Sequence, residues 1–184
     1  MRKAIIYLAD GTEECEALLC ADLLRRAGVD VTLAAVGGKR EVVSSHGVAI
    51  RADALAEEAD IAGTDLLVLP GGWPGTKHLE DCDAVRETIL AFAAAGKPVA
   101  AICAAPSILG HLGLLRGRRA TAFPSFRDQL TDAILTEGDV VRDGPFLTAP
   151  GLGAAIPFAL ALVETLEGPA AARDTAGRIG WRQN

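Results

Sequence analysis

The residue best placed to do chemistry is Cys103. It stands where "PVAAI", a run of small and branched apolar residues, gives way to "CAAPSIL", the opening of an apolar helix. A strand-to-helix turn at that point lifts the thiol off the sheet and aims the first N–H groups of the helix at the sulfur, which stabilises an anion. In such settings a thiol pKa falls from about 8.5 to roughly 3.5–7.5. Ala104 and Ala105 allow a tight turn and an open approach, a geometry shared with the nucleophile elbow of hydrolases. The competing reading is packing, because free cysteine is among the most buried residue types.

A carboxyl partner is at hand. Glu13, Glu14 and Glu16 open the stretch "EECEALLCADLLRRAG". Glu13 and Glu14 suit the positive end of a helix dipole. Glu16 precedes an apolar stretch and can point inward; desolvated beside a thiolate, its carboxyl would stay protonated and donate to the sulfur. Cys103 and Glu16 therefore make a candidate couple of nucleophile and acid/base. The other thiols offer less. Cys15 and Cys20, five apart on one helix, suit packing or an interface, and Cys82 precedes a helix start. With no CxxC pair and three histidines, a zinc site has little support, and no metal or organic cofactor is expected. His46 in "SSHG" suits a turn or an interface, or reaches the pocket; His78 and His111 suit surface and helix positions.

Strands and helices must alternate to hold these groups. "KAIIYLA" (3–9), "VDVTLAAV" (29–36), "DLLVLPGG" (65–72) and "KPVAAIC" (97–103) are apolar without polar alternation, which predicts parallel strands covered on both faces. Helices are expected over "ECEALLCADLLRRAG" (14–28) and over "DAVRETILAFAAAG" (83–96), the latter with Asp83 as N-cap and Gly96 as C-cap. Further helices are expected from Pro106 to about Leu115, over "DQLTDAIL" (128–135), and over "GAAIPFALALVETLEG" (153–168) with Pro157 in its first turns. "EVVSSHGVAIRAD" (41–53) predicts a short antiparallel excursion, and "DVVRDGPFLTAP" (139–150) a hairpin through Asp143-Gly144. The expectation is one doubly wound α/β domain over 1–184.

Ligands of such sheets bind beyond the C-terminal ends of the strands. "ADGTEE", "PGGWPG" and "CAAP" all reach that edge, where Trp73 either walls a pocket beside Gly72 or packs in a loop. No GxGxxG follows a strand and no phosphate P-loop occurs, so NAD and ATP fit poorly. A chain of 184 residues that is 50% hydrophobic can bury a full core. Its net charge of -6 speaks against nucleic acid, and "RGRR" (116–119) reads as a solvated helix end. No apolar run approaches the roughly 20 residues that cross a bilayer. Acidic residues follow "AIIYLA" at once, so no signal peptide is expected; a cytoplasmic chain with reduced thiols is.

In order along nearly the whole chain, "LADGTEECEA", "DLLRRAGVDVT", "DLLVLPGG", "AAICAAP" and "FALALVETLEG" resemble the ThiJ/PfpI superfamily, and within it the branch of the Parkinson-disease-associated protein deglycase. The resemblance implies a flavodoxin-like sandwich, usually homodimeric. It implies Cys103 as nucleophile, Glu16 as its protonated partner, and the N–H groups of Gly72 and Ala104 as an oxyanion-type pocket. Three departures stand out. Protease-like and chaperone-like members carry histidine directly after the cysteine, where this chain has Ala104. The deglycase branch carries a histidine before a proline, held by an aspartate of the partner subunit; here "TAFPSF" puts Phe123 in that place, while Asp22 in "CADLLRR" is retained. An arginine-bearing turn after the last strand is replaced by "APGLG". Glu13, Asp22, His46 and Phe123 thus count as positions at the pocket or at a dimer interface. The implied activity is cofactor-free, cysteine-dependent conversion of small reactive dicarbonyls such as methylglyoxal to hydroxy acids. The alternative is a non-enzymatic redox-sensing or stress-protective role through oxidation of Cys103, and a hydrolase comes third.

Overall fold

A computed structural model of the chain describes residues 1–182. Its first strand, β1 (Lys3–Leu8), shows how the apolar runs work: Ala4, Ile6 and Leu8 enter one core, while Ile5 and Tyr7 enter the other. Successive side chains of a strand point to opposite faces, so a strand with a core on each side must be apolar throughout. In β2 (Asp30–Ala35), Val31, Leu33 and Ala35 enter one core and Ala34 the other, while Asp30 is exposed at the strand's start. After it come β3 (Glu41–Val43), β4 (Ala49–Arg51) and β5 (Ala54–Leu55), then β6 (Leu66–Leu69) and β7 (Val99–Ile102). The short pair β8 (Arg119–Ala120) and β9 (Ile134–Leu135) precedes β10 (Val141–Asp143) and β11 (Phe146–Ala149). The main sheet has the order β10-β11-β7-β6-β1-β2-β5 and is parallel except for the β10–β11 hairpin. The order β2-β1-β6-β7-β11 is the flavodoxin-like one, reversing direction between β1 and β6.

Helices α1 (Glu14–Arg26), α5 (Ala155–Glu167) and α6 (Pro169–Arg178) lie on one side of the sheet. Cys20, Leu23 and Leu24 of α1 and Phe158, Leu162 and Val163 of α5 share a core with the even-numbered face of β1. On the other side lie α2 (Gly75–Asp81), α3 (Asp83–Ala94) and α4 (Pro106–His111), which bury Leu79, Ile89, Phe92 and Ile108. The antiparallel excursion at 41–53 is present as the β3–β4 hairpin, and the hairpin through Asp143-Gly144 as β10–β11.

Four local expectations are corrected. The stretch 128–135 is not a helix: a 3-10 segment spans Pro124–Gln129 and Ile134–Leu135 form β9. Leu130 is buried in the core, but Ile134 and Leu135 are half-exposed, so the apolar residues of that stretch do not share one buried helical face. Asp83 is the first residue of α3 rather than its cap; Cys82 holds that position, and the Asp83 carboxylate pairs with Arg86. The far end of α3 closes on Gly96 as expected, one place beyond the Ala95 cap: Gly96 has φ 65°, its N–H donates to Ala93 O, and Lys97 N–H donates to Phe92 O. Helix α4 stops at His111, four residues short of the expected end. "RGRR" is therefore no helix end: it turns at Gly117 and enters β8, where Arg118 and Arg119 pair with Asp143.

Candidate active site

Cys103 follows β7 directly and has φ 64°, a left-handed conformation that a side chain adopts only at a cost of roughly 1–2 kcal/mol. The surrounding backbone holds it there. Its N–H donates to Ala149 O at 2.9 Å, and its carbonyl accepts from Phe123 N at 2.8 Å. Ser107 helps close the turn, donating from both its N–H and its hydroxyl to Ala104 O. The N–H groups of Ala104 and Gly72 are left to interact with the sulfur. The turn expected from "AAICAAP" is therefore present, and the two donors named from the resemblance converge on the thiol.

Glu16 points inward. It is 1% exposed, and its Oε2 accepts from Gly71 N at 2.9 Å. The same carboxyl interacts with the Cys103 thiol, while Oε1 is buried without a formed hydrogen bond to the protein. This closeness depends on Gly71, whose role the sequence reading missed. A Cβ on Gly71 would lie 2.6 Å from Cys103 Cβ and 2.8 Å from Glu16 Oε2, so only glycine lets the three meet. The signal was available in the glycine pair ending "DLLVLPGG". Gly72 is constrained as well: at φ 93°, a Cβ there would sit 2.3 Å from Glu13 N.

The electrostatics differ from the sequence expectation. The thiol is not acidified: burial, then the negative charge of Glu16, push it up to about 12, against the pull of the Ala104 and Gly72 N–H groups. The two N–H groups at the sulfur come from the turn before the short α4 (Ala104) and from the loop after β6 (Gly72), and they do not outweigh burial. Burial also raises the Glu16 carboxyl to about 7, despite the Gly71 N–H that favours its charged form. The two groups are coupled. The repulsion that raises the thiol exists only while Glu16 is charged, so the pair loses one proton near neutrality and resists losing the second. In the singly ionised pair, thiolate with protonated Glu16 is the reactive arrangement.

A second cluster sits at the start of α1. Ser45 of the β3–β4 turn donates to Glu13 Oε2 at 3.1 Å, and His46 Nδ1 lies 3.1 Å from Glu14 Oε1 and 3.3 Å from Glu13 Oε2. The hydrogen bond and charge of Glu14 raise the exposed imidazole above its usual range. His46 is thus a turn residue that ties the hairpin to Glu13 and Glu14, while Glu16 alone of the acidic triplet reaches the sulfur. Asp22 is exposed on α1 and pairs with Arg26 of the same helix at 2.7 Å; within one chain it is not part of the Cys103 site. Phe123 lies beside the site and is 46% exposed. Trp73 is also exposed and packs against Phe126 at a tilt of 47° and a centroid distance of 5.8 Å.

Two cavities lie elsewhere. One of about 750 Å³ is lined by Pro157 and Leu160 of α5 and by Arg173 and Trp181. Another, of about 420 Å³, is lined by Asp10, Lys39, His78 and Cys82. Neither is lined by Cys103 or Glu16, so cavity size does not locate the chemistry. No helix among the described residues is long and apolar enough to cross a membrane.

Residues 2–165 match the model of the DJ-1/PfpI family. The chain is 41% identical to protein DJ-1 homolog B of Arabidopsis thaliana over 89% of its length, but spans only 38% of that longer relative. It is 32% identical to the glutathione-independent glyoxalase DJR-1.2 of Caenorhabditis elegans, over 91% of this chain and 90% of that one. The solved structure of oxidised DJ-1 from Toxoplasma gondii superposes over 100% of both chains with a TM-score of 0.95 at 35% identity.

Proposed function

The chain belongs to the DJ-1/PfpI family, and from that premise we propose that it converts small reactive dicarbonyls to hydroxy acids through Cys103, as a homodimer and without an added thiol. The observation that carries this reading is the contact between a thiol on a strained turn and a buried carboxyl that titrates near neutrality. A glutathione-independent glyoxalase among the relatives supports it.

The chemistry balances within the substrate. The Cys103 thiolate adds to the aldehyde carbon C1, and the proton held by Glu16 moves to the new alkoxide, giving a hemithioacetal. The Ala104 and Gly72 N–H groups stabilise the oxygen while it carries charge. Glu16, now ionised, removes the C1 proton and returns it at C2 by way of an enediol, while the hydroxyl proton on the C1 oxygen passes to the C2 oxygen. C1 is thereby oxidised to a thioester carbonyl and C2 is reduced to a carbinol, so no external electron carrier enters. Water cleaves the thioester, releasing the hydroxy acid and restoring the thiol. Phe123 supplies no second base, and slow turnover is the consequence.

The test is a panel of methylglyoxal, glyoxal and larger dicarbonyls offered to wild type and to Cys103→Ser without glutathione. The reading requires hydroxy acid from wild type and a loss of at least about 100-fold in the variant, the range typical for removing an essential group. A wild type inactive across the panel would leave the second reading, a stress-protective role through oxidation of Cys103, which the structure of the oxidised Toxoplasma relative favours.

A further inference from the structure

The groups around Cys103 are polar on one side only. Glu16 and the N–H groups of Gly72 and Ala104 approach the sulfur from within, whereas the Phe123 ring borders the gap beside it at Gly151. A Cβ built on Gly151 would meet the Phe123 ring at 3.3 Å and Cys103 Sγ at 3.8 Å. Ring and sulfur therefore face the same gap, and the missing side chain of Gly151 keeps that gap open. Phe123 is tied to the nucleophile by its N–H bond to Cys103 O, and Phe126 N donates in turn to Phe123 O, both at 2.8 Å. Trp73 packs at a tilt against Phe126 and directly follows Gly72, one of the sulfur's two donors. Trp73 and Phe123 are 59% and 46% exposed, and Leu152, next to Gly151, is 49% exposed.

Large apolar side chains left open beside a reactive thiol cost free energy unless something covers them. From their continuity with the nucleophile, we infer that Phe123 and Trp73 form an apolar rim that selects dicarbonyls bearing an aromatic or bulky apolar group over those bearing a methyl group or hydrogen. This rests on the reading of Cys103 as a nucleophile toward dicarbonyls, and it names the substrate class. The carbonyl carbons would lie at the sulfur and its N–H donors, and the substituent against the Phe123 ring. Two ring contacts of ordinary strength correspond to roughly a fivefold to 150-fold preference.

Two measurements test the rim separately from catalysis. The first compares kcat/KM for phenylglyoxal and methylglyoxal in wild type, Phe123→Ala and Trp73→Ala. The second compares alkylation of Cys103 by 2-bromoacetophenone and by bromoacetone, each rate divided by that of free glutathione, and needs no turnover. Both ratios should favour the aromatic compound in wild type and fall about tenfold in Phe123→Ala, with a smaller fall in Trp73→Ala. Turnover without aromatic preference, with ratios unchanged in both variants, would overturn the rim and leave the dicarbonyl reading standing. No turnover, with the alkylation preference kept and lost in Phe123→Ala, would sustain the rim and remove the dicarbonyl reading. If the variants change only the oligomeric state and neither ratio, the rings are covered by a second copy of the chain and the inference is wrong.

Discussion

Cys103 and Glu16 occupy one small buried volume, where two negative charges repel strongly. Their protons therefore leave in two widely separated steps, the first near the raised carboxyl value of about 7 and the second toward about 12. The sign for reactivity follows. Below pH 7 the pair holds both protons and no thiolate exists. Above it a single charge is shared, and thiolate with protonated Glu16 becomes available. Alkylation of Cys103 by iodoacetamide, read by peptide mass mapping, should rise as pH passes about 7 and then level off. In Glu16→Leu the inflection near 7 should vanish. A wild-type profile flat through neutrality would break the coupling. The same donors bear on oxidation. A sulfinate at Cys103 would accept from the Ala104 and Gly72 N–H groups and from protonated Glu16, and charge-assisted bonds of this kind are about twice as strong as neutral ones. Mild peroxide should thus leave sulfinate at Cys103 in wild type and less of it in Glu16→Leu. Equal oxidation of the two proteins would mean that Glu16 does not hold the sulfur's oxygens.

The loops that bring these residues together are those after β1, β6 and β7, and β6 contributes through backbone alone. Gly72→Ala would place a methyl group against Glu13 N at φ 93°. It should destabilise the protein by roughly 2–5 kcal/mol in urea unfolding and slow Cys103 alkylation, since strain and overlap add. A variant as stable and as reactive as wild type would refute the tight β1–β6 junction. At this scale the sequence was readable wherever burial was two-sided or periodic. β6 and β7 are unbroken apolar runs, β1 is apolar after Lys3, β2 is apolar but for Asp30 and Thr32, and α1 and α5 repeat apolar residues at helical spacing. Elements with little to bury left no such trace. α2 buries one large side chain, Leu79, and α6 buries Thr175 alone. β5, β8 and β9 are two residues each. In the site, Cys103 and Glu16 stood out by residue type and position. Gly71 acts by the side chain it lacks, and the raised thiol comes first from burial and then from the nearby Glu16 charge, neither of which spacing along the chain displays.

Taken as a whole, one chain brings a thiol, a carboxyl and two backbone N–H groups together at Cys103, and the proposed chemistry then lacks a second base among the described residues of the site. Asp22 faces outward on α1, bound to its own Arg26. If the protein is the proposed homodimer and Asp22 reaches the partner's site, a histidine introduced at Phe123 would be held and charged by it. Phe123→His should then raise kcat for methylglyoxal several-fold, and Asp22→Asn in that background should abolish the gain. Unchanged kinetics in Phe123→His would show that Asp22 is not within reach of position 123.

The central claim is that substrate passes through a covalent thioester on Cys103, and trapping that species tests it most directly. Wild type mixed with methylglyoxal, quenched in acid within the first turnover and mapped by mass spectrometry, should carry a hydroxyacyl group on the Cys103 peptide. The adduct should decay at the rate at which lactate appears. An adduct confined to Cys15 or Cys82, or lactate formed equally fast by Cys103→Ser, would contradict the account.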